Sequence, residues 1–134
     1  MTAASLLATV VMGCAVAGCV HTGFARTTGL AVPARAPGCS LDIVFQGPPP
    51  YPYVVIGQVM TNASGPEILA IGQNDVVAMR RVTEAACAAG AHGLMNIATS
   101  SERVRVGKRH WKTTRGAAMA FVYVDAFGRP LPAP

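Results

Sequence analysis

Only one stretch of this chain, Asn74 to about Ala89, has the 3-4 spacing of an amphipathic helix; the other patterned segments read as strands. Met79, Val82, Ala86 and Ala89 fall on one helical face, with Arg80, Arg81, Glu84 and Ala88 turned towards solvent. Asn74 or Asp75 supplies the N-cap and Gly90 the C-terminal stop. A lone helix can cover one face of one sheet, so the class is α+β. The second sheet face then has no helical cover, and apolar residues on it argue for self-association or a protein partner.

The strands follow from the flanking sequence. Leu41, Ile43 and Phe45 alternate with Asp42 and Val44 as a short strand, and Tyr53 to Thr61 is a β-branched, apolar second strand. Between them, Gly47 to Tyr53 (GPPPYPY) cannot continue a ladder because proline lacks the N–H donor; it reads as a rigid connection. Asn62 to Gly72 reads as a loop. After the helix, Gly93–Val106 and Trp111–Val124 form a long hairpin joined by Gly107 to His110. With Val106 opposite Trp111, Glu102 faces Arg115, Val104 faces Thr113, Ile97 faces Ala120 and Met95 faces Val122. Met119, Phe121 and Tyr123 then point to the opposite face. The order is β-β-α-β-β, one helix on a mostly antiparallel four-stranded sheet.

Apolar residues make up 51% of the 134 positions, more than an ordinary small soluble domain carries. The excess sits at the start, since Arg26 is the first charged side chain. Ala3 to Ala17 (AASLLATVVMGCAVA) is apolar and followed by Val16-Ala17-Gly18-Cys19, which resembles the bacterial lipobox. On that reading 1–18 is a signal peptide and Cys19 the acylated (palmitate-bearing) N-terminus of a lipoprotein. Val20, not an acidic residue, follows Cys19, which suits outer-membrane sorting with the domain facing the periplasm. Other readings are a weak membrane anchor over Ala3–Val20, a secretory signal cut elsewhere, and acylation of Cys14. No Lys or Arg lies near Met1, where a standard signal is positively charged.

Residues 19–38 mix Gly, Pro, Thr and Ala and read as a flexible tether reaching about 25 Å. The folded unit then spans 39–125, and 126–134 is a Pro-rich tail. Cys39 and Cys87, 48 residues apart, would pair in an oxidising compartment, with two buried free thiols as the alternative.

Ile56-Gly57-Gln58-Val59, the helix exit Ala85-Ala86-Cys87-Ala88-Ala89-Gly90-Ala91-His92-Gly93 and the strand start Gly116-Ala117-Ala118-Met119-Ala120 together resemble the YbjQ-like (heavy-metal-binding-type) family. More distantly, the chain resembles the Rcs-pathway stress-sensor lipoproteins. The resemblance spans about Leu41 to Val124. It implies a compact β-α-β unit, oligomers in some members and envelope signalling in others. The sensor lipoproteins carry two disulfides, whereas this chain offers only Cys39–Cys87.

Chemistry-bearing motifs are sparse. Cys39, Cys87, His92, His110 and His21 are possible metal donors, but no two stand at a chelate spacing, and a disulfide would consume both thiols. No nucleophile elbow, phosphate-cradling loop or activated cysteine is present, so neither cofactor nor catalysis is expected. The chain's net charge of +5 has a focus: Arg103, Arg105, Lys108, Arg109, Lys112 and Arg115 crowd the hairpin tip around Trp111. An exported protein seldom meets nucleic acid, so such an arm suits acidic lipid, lipopolysaccharide phosphates or an acidic protein surface. The bland alternative is a solvated tip whose charges discourage edge-to-edge aggregation. The expected function is a non-catalytic, lipid-anchored envelope module that binds or senses through its open sheet face and basic hairpin. A metal-buffering domain is the alternative.

Overall fold

A computed structural model of the protein describes residues 19–66 and 74–134. The leader over 1–18, including Cys14, lies outside the described residues. The elements are β1 (Cys19–Arg26), β2 (Asp42–Val44), β3 (Tyr53–Pro66), α1 (Asn74–Ala88), β4 (Gly93–Val106) and β5 (Arg109–Tyr123). They form one five-stranded sheet in the order β1-β3-β5-β4-β2. β1–β3, β3–β5 and β5–β4 are antiparallel, while β2 joins β4 in parallel at the far edge. The α+β class holds, but the sheet has five strands and is mixed. The reason is the connection: the proline run after β2 cannot form a hairpin, so the chain crosses to the other side of the sheet before β3 begins. The β3-α1-β4 crossover leaves β3 and β4 parallel with a gap between them, which β5 fills.

β1 takes the first eight residues of the expected tether. Val20, Thr22 and Phe24 alternate with smaller or polar residues, a period-two pattern overlooked among the glycines and threonines. The Phe24 ring covers Gly57, where a Cβ would collide with that ring and with the Ala25 carbonyl. Residues 27–38 are also docked. Leu30 and Val32 pack against the core, and Arg35 donates from its backbone N–H to the Cys87 carbonyl (2.8 Å) and from Nη1 to the Ala91 carbonyl (2.9 Å). Residues 19–38, expected as a tether, are therefore part of the described fold.

The helix follows its pattern. Val82, Ala86 and Ala89 are buried against Ile56, Val59, Leu94, Ala118, Ala120 and Val122, and Arg80, Arg81, Glu84 and Ala88 are exposed. Its exit is a Schellman turn: Ala91 N–H donates to the Ala86 carbonyl and Gly90 N–H to that of Cys87, both at 3.0 Å. Gly90 sits at φ 85°, and a Cβ there would strike the Pro33 carbonyl.

The hairpin is real, but its register differs from the expected one. Gly107 at φ 65° permits a two-residue turn, so Val106 pairs with Arg109 and not with Trp111. Glu102 therefore faces Thr113, and Arg115 faces Ser100. A bulge between Met95 and Ala98, with Asn96 at φ 51°, shifts the lower half again. Met95 consequently pairs with Met119 and shares its face, contrary to expectation. A second bulge at Ile56 in β3 keeps both Ile56 and Val59 on the helix side.

The Pro-rich tail over 126–134 folds back on the sheet. Asp125 Oδ1 accepts from the N–H groups of Phe127 and Arg129, both 2.9 Å, which turns the chain back. Leu131 N–H then donates to the Tyr123 carbonyl at 2.9 Å, and Val124 bridges to Pro130.

Candidate binding surface on the open sheet face

The face away from α1 divides in two. Its lower half is covered. Phe121, Tyr123 and Met95 are buried, with Val44, Tyr53, Val55 and Met119 packed around them. Tyr51, from the proline-rich connection, sets its ring edge-on to Tyr123 with centroids 5.5 Å apart, and Pro49 is buried. GPPPYPY thus serves as a lid on part of the sheet that sequence reasoning left bare.

The upper half has no such cover among the described residues. One transverse row reads Gly23, Met60, Ala117, Ala98 across β1, β3, β5 and β4. Three small residues flank one large one, so the pleat makes a shallow trough of about 730 Å³. Asn62, Ser100 and Arg115 border it. Met60 is 57% exposed, an unbranched, polarizable side chain suited to irregular apolar contacts. The sequence carried a faint signal for this surface: small residues where a strand usually places β-branched ones.

Beyond the trough the β4–β5 hairpin carries the basic cluster. Arg103 pairs with Lys112 and Arg105 with His110, so these four side chains share the helix-side face of the ribbon. Val104 pairs with Trp111 on the other face, continuous with the trough. Arg115 stands on that open face as well, lining the trough. Arg105 Nε donates to the Gly107 carbonyl at 3.0 Å, tying one guanidinium to the turn. Lys108 lies in the turn, and Arg109 closes it by pairing with Val106.

The residues singled out as metal donors do not converge. Cys39 and Cys87 are joined by a disulfide with Cα atoms 5.9 Å apart. This bridge ties the segment before β2 to the last turn of α1. His92 is buried at the opposite end of the sheet from His110, about 40 Å away by strand rise. The His92 Nδ1 accepts a hydrogen bond from the Tyr123 N–H at 3.0 Å, which occupies that lone pair. The backbone of His21 pairs with that of Asn62 at the other edge. Among the described residues, no three His, Cys, Asp or Glu side chains gather in a metal-binding group.

A polar network missed in the sequence sits at the lower end. Tyr123 Oη donates to Asp42 Oδ2 at 2.8 Å, and the His92 ring lies 6.0 Å from the Tyr123 ring. Burial pushes the Tyr123 phenol up to about 12, with the hydrogen bond to Asp42 and its charge adding to the shift. Burial, followed by the Arg35 cation, lowers His92, while Asp42 opposes the shift. The buried Tyr123 and His92, with Asp42 at the surface, lock β2, β4 and β5 together, which makes them structural.

Among the described residues, no helix is long and apolar enough to cross a membrane. Comparison with family models, with curated proteins and with solved structures finds no match for this chain.

Proposed function

We propose that the protein is a lipid-anchored, non-catalytic recognition module of the cell envelope, held through Cys19 and working through the upper half of its open sheet face. The observation that carries this reading is the Gly23–Met60–Ala117–Ala98 trough, an uncovered apolar strip among the described residues with a cationic border at Arg115. A protein segment with apolar side chains and a carboxylate suits it, because Arg recognises carboxylates in a fixed fork geometry. The lipobox-like Val16-Ala17-Gly18-Cys19 and the resemblance to envelope lipoproteins support the location, with the outer membrane favoured by Val20.

A photo-crosslinking residue at position 60, introduced in cells, tests the reading. The expected result is an adduct of defined mass that Ala98→Arg abolishes. The same probe at Arg81, on the exposed face of α1, should give none. Equal labelling from both positions would overturn the assignment.

A further inference from the structure

We infer that the hairpin tip docks on anionic phospholipid headgroups of the same membrane that holds the lipid on Cys19. This rests on acylation of Cys19, and it adds an orientation which that acylation alone does not supply.

The register of the sheet carries the argument. Cys19 pairs with Ser64, Ser64 with Thr113, and Thr113 with Glu102, so the anchor position and the root of the hairpin tip lie on one level. The strands are about 4.8 Å apart, which places β5 about 10 Å sideways from β1 and β4 about 15 Å. Trp111 pairs with Pro66 and Val104, two residues beyond that level, or about 7 Å. The turn at Val106–Arg109 is four residues beyond, or about 13 Å. Because Cys19 is already the first residue of β1, no slack chain separates anchor from sheet. A lipid on Cys19 therefore fixes this end of the sheet at the bilayer surface, and everything beyond the Cys19 level must meet the headgroup layer.

That layer is about 5–7 Å deep in each leaflet, comparable to the advance of Trp111 past Cys19. The residues that arrive there suit it. One face of the ribbon presents Arg103, Arg105, His110 and Lys112, and the other presents Trp111 and the 44% exposed Val104. Between 102 and 115 the sequence holds six Lys or Arg and one acid, Glu102. Cations bind lipid phosphates, and tryptophan prefers the interface between headgroup and hydrocarbon. The ribbon lies tilted along the surface, since a perpendicular sheet would drive the charged turn past the headgroups.

The chain's one tryptophan is the reporter. The full chain, processed in cells and purified in detergent, is first weighed intact for acyl groups on Cys19. It is then reconstituted into vesicles of phosphatidylcholine alone or mixed with phosphatidylglycerol, each containing lipid brominated high in the acyl chain. The expected result is blue-shifted Trp111 emission with strong bromine quenching in the mixed vesicles. Combined Arg103→Gln, Arg105→Gln and Lys112→Gln should abolish the phosphatidylglycerol-dependent part, as should high salt. The exposed pair Arg80→Gln and Arg81→Gln, on the far side of α1, should leave it unchanged. Each variant is checked for an intact Cys39–Cys87 bridge, and Arg105→Gln alone, which should give a partial loss, serves if the triple variant misfolds. An acylated protein whose Trp111 is unquenched, or quenched equally in both vesicles, overturns this inference and leaves the anchor standing. A mature protein without acyl groups overturns the anchor and the inference together.

Discussion

The Tyr123 backbone N–H donates to Nδ1 of the buried His92 at 3.0 Å, across 31 residues of sequence. The imidazole is therefore neutral, with its proton on Nε2, and protonating Nδ1 would remove the acceptor. Desolvation and the nearby Arg35 both favour this neutral form. The folded-state pKa lies below 6.5, so the unfolded chain binds the proton more readily. Stability is full above 6.5 and is lost as the pH falls through the folded-state value. Thermal unfolding should shift to lower temperature as the pH is lowered below 6.5. His92→Asn, which keeps a neutral acceptor near Nδ1, should flatten that dependence; an unchanged slope would count against this role.

At the other end of the pH scale the same cluster behaves in reverse. The Tyr123 phenol keeps its proton up to about 12 because burial and Asp42 disfavour the phenolate. Between 10 and 12 the native state holds a proton that the unfolded chain has released. Its contribution is thus complete below pH 10 and disappears as the pH rises towards 12. Ultraviolet titration should find a tyrosine ionising near 12 that Tyr123→Phe eliminates. That variant should also lose about 1 kcal/mol at neutral pH through the hydrogen bond to the exposed Asp42.

The Cys39–Cys87 bridge closes a loop of 48 residues that contains β2, β3 and most of α1. Chain entropy assigns such a closure about 4 kcal/mol. Denaturant unfolding with and without reductant should differ by that order, and the double variant Cys39→Ser, Cys87→Ser should match the reduced protein.

Two glycines make opposite predictions. A Cβ on Gly93 would collide with the Asp42 carbonyl and the Phe121 ring, so Gly93→Ala must displace β2 from β4. It should cost about 1–3 kcal/mol, measured by denaturant midpoint. Gly23→Ala meets nothing within 4 Å and should be nearly neutral for stability. Since Gly23 lines the trough, that variant should still weaken crosslinking from position 60.

The helix was legible because its face, cap region and stop agree: Val82, Ala86 and Gly90 each have one evident place. The β4–β5 hairpin was legible for the same reason, but β3 was legible only as far as Thr61: its continuation over 62–66 reads as a loop because Asn, Ser, Gly and Pro dilute the strand pattern. Cys39 and Cys87 stand where a bridge can form. Register was not. Whether Val106 faces Arg109 or Trp111 depends on the positive φ of Gly107, and the position of Met95 depends on a bulge at Asn96 that no residue type announces. β1 was hidden because Gly23 and the following Thr27-Thr28-Gly29 dilute the alternation of Val20, Thr22 and Phe24. The partnership of β2 with β4 depends on a crossover that spans half the fold, and local pattern has nothing to say about it. The trough needs four strands aligned, so it could not be found before the register was known.

The middle strand of the sheet, β5, is the last of the five in the chain. Until Arg109–Tyr123 has emerged, β3 has a neighbour on one side only, and β4 holds nothing but the three residues of β2. As the chain lengthens, β3 keeps one open edge from residue 66 onward and β4 adds a second just before β5 appears, each a template for pairing with another copy. Completion is a single late event, the insertion of one fifteen-residue ribbon between two waiting edges. Such a protein is slow to secure its fold for its size, because the central β3–β5 pairing joins segments far apart in sequence. A stop between β4 and β5 leaves two unjoined fragments of sheet, β1–β3 and β2–β4, rather than a smaller version of the same fold.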